Sequence, residues 1–464
     1  MSTLPTVNLN ALFSAAGSAS SGINVAATVS QILYADRAPE QVWEAQQQTI
    51  AQQTSALNQL NSGASSLVDS LSALQDPLGA LAAMDTTSTQ PSLVTATASG
   101  SAAAGSHVVV VQNLATTASW YSDAVADGNT AFAAGSYDLT VGTGSSQTTT
   151  TIQVGNGVNT PNQLASYING LNLGVTASVI TDSTGARVAL VSNSSGSASD
   201  FSISPSSGNS SGNLFTRATT GTDASLTVDG IPITSASNTV TGAINGVTLN
   251  LVGQAPATEV GISIGTDVSQ ASQAINAFVS AYNSLISQVN SQFAYDSTNK
   301  TSGPLSSDST VRMFQSELLA SPSYLASGSA IGTLASLGIT MNDDGTLTVD
   351  SSTLNNAIQS NPGAVQAFFQ GTSSNGFAAY LTNAVNTFAD PTEGAFTVDL
   401  SSLNAENTDL QNEINDLESY LSGVQTNLTN EYNQADIALQ ELPIQEQQIN
   451  AMLGNNTNSN GSNS

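Results

Sequence analysis

Cysteine is missing from this chain of 464 residues. Disulfides, zinc–thiolate sites and thiol nucleophiles are therefore excluded. A fold exposed outside a cell must then draw its stability from core or assembly, and the length allows that. Basic residues are nearly missing too. Lys and Arg number 5 against 33 Asp and Glu, for a formal charge of −28, and nothing basic follows Arg312. Phosphate backbones are held by Lys and Arg, so nucleic acid is excluded as a partner. Anionic membrane surfaces are disfavoured for the same reason. The first thirty residues hold no Lys or Arg and no continuous apolar stretch, so no cleaved secretory signal is expected. The valine run at 108–111 is far too short to cross a bilayer, and no membrane insertion is expected.

Charge of either sign is sparse, at 8% of residues, where a soluble domain carries about 25%. Ser, Thr, Asn, Gln and Gly take its place, a surface that suits an extracellular protein better than a cytosolic enzyme. What organises the chain is apolar spacing at its two ends. Near the C-terminus, Leu410, Ile414, Leu417, Leu421, Val424 and Leu428 are separated by 4, 3, 4, 3 and 4. The pattern skips Glu431 and resumes at Ala435, Ala438 or Leu439, and Leu442. Near the N-terminus, Ile50, Leu57, Leu60, Ala64, Leu67, Leu71 and Leu74 are separated by 7, 3, 4, 3, 4 and 3. Both are seams of helices that bury a narrow stripe against a partner. A lone helix would leave its stripe in water, so the two seams are expected to zip together into one elongated stalk. Pro443 should kink or stop the second helix. That helix carries no Lys or Arg, so it cannot set its register by its own ion pairs, and the stalk is expected to gain stability as pH falls.

Between the seams the texture changes twice. A first helix is expected over 23–34, with Val25, Val29, Ile32 and Leu33 on one face, interrupted by Pro39. The long seam helix follows over about 40–74 and ends before Pro77. Strands are expected from Ser92 onward, at 95–101 and 107–111, with a β-rich stretch over 120–214. One helix, 164–171, breaks that stretch, opened by Thr160-Pro161. Asp229-Gly230 is a hairpin turn between strands at 226–228 and 231–233. Helix returns at 274–289, 354–369 and 376–388, with a turn at Asn342-Asp343-Asp344-Gly345 between two short strands. Residues 1 to about 20 and those after Gly454 are expected to lack fixed structure.

The fold class is therefore α+β and multidomain, a helical-bundle stalk made from both termini with two nested β-rich domains between them. The expected division is 1–47 with 420–464 as terminal segments, and 48–88 with 268–419 as the helical stalk. The first β-rich domain is 89–118 with 216–267, and the distal one is 119–215.

Chemistry-bearing motifs are weak. His107 is the single histidine, so any Ser-His-Asp arrangement must use it; a strand-edge role suits it better. Gly208-Asn209-Ser210-Ser211-Gly212 matches Gly-x-Ser-x-Gly, but its flanks are Ser-rich and contain Pro205 rather than a strand and a helix. An EF-hand around Gly345 would need Asp at Thr340 and Glu at Ser351, so a tight turn is the better reading. The only lysine, Lys300, lies in no phosphate-cradling loop. No catalytic, metal or cofactor residue is nominated, and no cofactor is expected.

Several short motifs recur in a familiar order. They are Ser21-Gly22-Ile23-Asn24-Val25 with Arg37-Ala38-Pro39, Gln112-Asn113-Leu114-Ala115, and Ile168-Asn169 with Gly174-Val175-Thr176-Ala177. Then come Asp229-Gly230, Asn238-Thr239-Val240, Gly246-Val247-Thr248-Leu249 and Phe278-Val279-Ser280-Ala281-Tyr282-Asn283. Gly303-Pro304-Leu305, Asp308, and Leu337-Gly338-Ile339 with Asp344-Gly345 close the series. Framed by terminal heptads, this order resembles the bacterial flagellar filament cap family, flagellar hook-associated protein 2. The resemblance implies a protein without enzymatic activity, exported through the flagellar channel without a cleaved signal, and acting outside the cell. It implies a homo-oligomeric ring, a pentamer, at the filament tip, where it guides flagellin folding and insertion. It also implies dealings with the export apparatus or a chaperone, and terminal segments that contact the filament end. A hook–filament junction protein and a surface adhesin are the alternatives.

Overall fold

The computed structural model describes residues 24–209, 212–298, 300–326, 330–371 and 375–456. The expectations for residues 1–20, for the tail beyond 456 and for Ser210 and Ser211 of the Gly-x-Ser-x-Gly match lie outside these. The chain enters on α1 (Val25–Asp36), capped by Asn24, whose Oδ1 accepts from the Ala27 amide at 3.0 Å. After Arg37 it turns into α2 (Ala38–Gln75). Pro39 sits in the first turn of α2, where a missing amide costs nothing, so it opens that helix, and the break falls at Arg37.

The chain then pairs strands whose partners lie far apart in sequence. β1 (Met84–Ser88), β2 (Val94–Ala98) and β3 (Gly105–Asn113) lead out. The distal region follows, with β4 (Ser119–Ser122), β5 (Gly135–Val141) and β6 (Thr148–Val154). Next come α3 (Pro161–Gly170), β7 (Val175–Asp182) and β8 (Gly185–Ser192). β9 (Phe201–Pro205) and β10 (Phe215–Thr219) complete the region. Its sheets run β10-β4-β8-β7 and β6-β5-β9. α3 starts as its sequence predicts: Thr160 Oγ1 accepts from the Gln163 amide and the Gln163 side chain reaches back to the Thr160 amide, a reciprocal cap. Tyr137, Leu139, Ile152, Leu164, Ile168, Leu190 and Phe201 form the core here.

The return path is β11 (Ala224–Val228), β12 (Ile231–Ser235), β13 (Thr239–Ile244), β14 (Val247–Leu251) and β15 (Val260–Thr266). These pair back onto the outgoing strands in the orders β1-β15-β3-β11-β12 and β13-β14-β2. Val94, Val109, Leu226, Leu249 and Val260 fill a second core. Asp229 and Gly230 adopt φ of +52° and +81°, the left-handed pair that a two-residue hairpin demands.

Helix resumes with α4 (Val268–Phe293), capped by Asp267. α5 (Ser309–Ala320), the β18–β19 hairpin (Ile339–Met341 and Leu347–Val349), α6 (Ser351–Ser360), α7 (Pro362–Gln370) and α8 (Phe377–Ala389) follow; between α4 and α5 lies a two-residue ribbon, β16–β17 (Tyr295–Asp296 and Thr301–Ser302). The single helix expected at 354–369 is two, because Pro362 disfavours helical backbone at Asn361, whose φ is −141°. The chain closes on α9 (Ala395–Asn456). Pro443 does not stop α9. From Asn433 nearly every residue of that helix is exposed, so the carbonyl deprived of its amide is left to water instead of an apolar contact.

Asp350 caps α6. Thr353 and Ser352 hydroxyls donate to its carboxylate at 2.7 and 2.9 Å, joined by their amides. These bonds, the Thr353 hydroxyl first, pull its pKa from 3.8 to about 2. A depressed folded pKa stabilises above the unfolded value, so this contribution is full above pH 3.8 and is lost as pH falls toward 2. A carboxyl NMR titration should show Asp350 still ionised at about pH 3, and a midpoint near the ordinary aspartate value of about 4 would refute the cap.

Candidate assembly surfaces of the helical region

The two seams meet only at one end, where Ile50 of α2 lies by Leu410 and Ile414 of α9; they do not zip along their whole length. Leu57, Leu60, Leu67, Leu71 and Leu74 are fully buried, but against Ile275, Phe278, Tyr282, Ile286 and Val289 of α4 and the face of α8. The physical reason is area. α4 offers a broad aromatic and aliphatic face, which removes more surface from water than a second narrow stripe can. Ile50, also buried, marks the end of α2 that α9 touches. There the Gln47 side-chain Nε2 donates to the Asn407 backbone carbonyl and to Gln411 Oε1. Leu410 and Ile414 are buried on the same part of α9.

The second half of the C-terminal seam finds a different partner. Leu421 is buried with Val29 and Leu33 of α1, and Leu417, Val424, Leu428 and Tyr432 pack around them. So α1, not α2, covers residues 417–432. Arg37, at the joint between α1 and α2, supplies the charge that α9 lacks. Its Nη1 lies 2.7 Å from Glu40 Oε2 and 3.7 Å from Glu418 Oε1. The Arg37–Glu418 pair is solvent-exposed and contributes below about 1 kcal/mol, while the largely buried Glu40 holds the guanidinium beside that turn of α9. Sequence reading missed this, because no spacing within α9 reveals a cation near the other end of the chain. Leu421→Ala should weaken the docking of α1 by about 2 kcal/mol or more. Hydrogen exchange would show it as faster exchange confined to α1 and the facing turns of α9; unchanged protection there would refute it.

Beyond Tyr432 the seam continues without a cover. Ile437, Leu439, Leu442, Ile444, Ile449 and Leu453 are all 45–61% exposed. Leu428, Ala435, Leu442 and Ile449 repeat every seven residues, so the stripe that α1 covers runs straight on into solvent.

His107 lies where β3 runs past its pairing with β11, opposite the Asp229 turn. Its Nδ1 is 2.7 Å from Asp229 Oδ2, and the Val108 amide donates to Asp229 Oδ1 at 2.9 Å. That amide first, then the histidine, hold Asp229 below the usual carboxylate range. Both carboxylate oxygens are thus engaged in fastening the hairpin to β3. At Asn342-Gly345 the backbone closes a tight turn, with the Gly345 amide donating to the Asn342 carbonyl and Gly345 at φ +83°. The sequence reading also missed α5, although Asp308 caps it and Val311, Phe314 and Leu318 line its buried face.

Nested β regions on a helical region, with one helix end left bare, can be set beside known proteins. Residues 21–118 match the model of the flagellar hook-associated protein 2 N-terminus, and residues 221–443 match that of its C-terminus. The chain belongs to the flagellar hook-associated protein 2 family. The B-type flagellar hook-associated protein 2 of Pseudomonas aeruginosa is 28% identical over 394 residues, covering 78% of this chain and 81% of that one. Flagellar hook-associated protein 2 of Salmonella typhimurium is 33% identical over 156 residues, covering 32% of this chain and 33% of that one. The crystal structure of the flagellar cap protein FliD D1-D2-D3 domains from Escherichia coli superposes with a TM-score of 0.59 at 27% identity, covering 75% of this chain and 99% of that one. The family is that of the filament cap, a structural protein of the flagellum. Among the described residues no helix is long and apolar enough to cross a membrane.

Proposed function

We propose that this hook-associated protein 2 homologue caps the growing flagellar filament as a ring of its own copies, a pentamer, and guides exported flagellin into place. The observation that carries the reading is the bare seam of α9. A single chain covers 417–432 with its own α1 and leaves 437–453 in water. Apolar stripes of that length call for a partner helix, and the filament end and neighbouring copies supply one. The terminal segments 1–47 and 420–464 are the regions that make these contacts. The seam residues Ile50 to Leu74, buried within the chain, act by holding the stalk rigid.

The division into 48–88 with 268–419, 89–118 with 216–267, and 119–215 is supported by three separate apolar cores. The mechanism is binding and steric guidance, with no covalent chemistry. Export proceeds through the flagellar channel without a cleaved signal, with help from the export apparatus or a chaperone, and the protein works outside the cell at the flagellar tip. Deleting the gene in its flagellated host should release monomeric flagellin into the medium and abolish filaments, and added protein should restore them. Filaments that form normally but detach from intact hooks would indicate a junction protein instead.

A further inference from the structure

A sheet edge is a row of amides and carbonyls that invites another strand, and folded proteins block such edges. Most edges here are blocked. β1 lies beside β2 and β12 beside β13, so the two sheets of the middle region cover each other's margins. β12 also carries Pro232, and β13 is broken between Thr241 and Ile244, where Gly242 has φ +78°. In the distal region β9 lies against β10 and ends in Pro205. β7 is clasped from α3: the Asn169 side chain donates to the Ala177 carbonyl at 2.8 Å and accepts from the Ala177 amide at 2.7 Å. The β16–β17 and β18–β19 ribbons are only two and three residues long.

β6 has none of these devices. It pairs with β5 over seven residues without a bulge and holds no proline and no charge. Its side-chain hydrogen bonds all point back to β5: Thr149 to Thr140, Thr151 to Asp138, and Gln153 with Ser136. Among the described residues nothing hydrogen-bonds to its outer backbone. Ile152 and Val154 are buried in the distal core, so the strand is anchored while Thr148, Thr149, Thr151 and Gln153 are exposed. No Asp, Glu, Lys or Arg occurs between Asp138 and Asp182.

We propose that β6 pairs antiparallel with β6 of a second copy of this chain, joining two distal domains across a two-fold axis. A second copy brings another −28 of charge, and β6 offers it a seven-residue edge with no charged residue of its own, the neighbouring Asp138 carboxylate being engaged by the Thr151 and Ser206 hydroxyls. The alternative edge for a head-to-tail contact, β7, is clasped at Ala177 by Asn169, which favours the self-complementary arrangement. A two-fold contact closes on two copies, so it links copies from facing assemblies rather than neighbours around one ring.

The absence of native cysteine makes the test direct. Thr149→Cys, Thr151→Cys and Gln153→Cys are made singly in the full chain and oxidised alone and in pairwise mixtures. Facing residues of antiparallel strands lie within disulfide reach. The expected result is a covalent dimer from at least one variant or mixture. Adding T149D and Q153D to the Thr151→Cys chain should lower the dimer yield at least tenfold, with the circular dichroism melt unchanged. No dimer from any variant or mixture, or a yield indifferent to the added carboxylates, overturns the proposal. Crosslinking to flagellin in preference to a second copy, when both are present, overturns it as well.

Discussion

Leu442→Ser with Ile449→Ser leaves the chain folded and stops filament growth. The two side chains are 56% and 57% exposed and stand one heptad apart on the bare part of α9. Neither touches the cores, so the melting transition should shift by no more than about 0.5 kcal/mol per site. Burying a leucine or isoleucine in an interface contributes about 1.5–3 kcal/mol, so losing both weakens attachment by two to four orders of magnitude. Flagellin in the medium of a complemented deletion strain, compared with the unaltered chain, reads the effect. Full-length filaments on cells carrying the double variant would sink the assignment of this seam to the filament end.

Phe278→Ala destabilises the helical region by about 3–5 kcal/mol. The ring is fully buried, with the rings of Phe377, Tyr282 and Phe369 centred 5.5, 6.4 and 6.5 Å away, the first and last edge-on. Phe368 and Phe369 extend the cluster. Truncation removes ring contacts from several neighbours at once, and a tightly packed core recovers little of the lost volume. Because the distal core shares no residue with this one, the damage should be confined. Urea titration followed by near-ultraviolet signals should show the helical transition moving while that of Trp120, packed against the distal core, holds still. A loss below about 1 kcal/mol, or an equal shift of both transitions, would refute the packing described.

A good part of this molecule was legible in the residue order. Heptad spacing at Leu57–Leu74 and Leu410–Leu428 marked two helices with buried stripes. Thr160-Pro161 marked the start of α3, and Asp229-Gly230 marked a hairpin. These are local signals: a cap, a turn or a stripe is read by atoms within a few residues, so neighbouring letters suffice. Nesting was legible too, since strand texture sits between two helical ends, and a short run of family motifs pointed to the flagellar cap.

Partner choice was not legible. A stripe states that a helix must be covered and says nothing of what covers it. Only in three dimensions does the broad face of α4 take Leu57 to Leu74 of α2 and leave α9 the end near Ile50, while α1 takes residues 417–432 and Arg37 reaches Glu418. The clasp of Asn169 on β7 and the bareness of β6 likewise depend on which strand ends up at a margin. Burial, edge exposure and ion pairing across hundreds of positions are sums over the whole packed chain, and the tertiary structure alone carries out that sum.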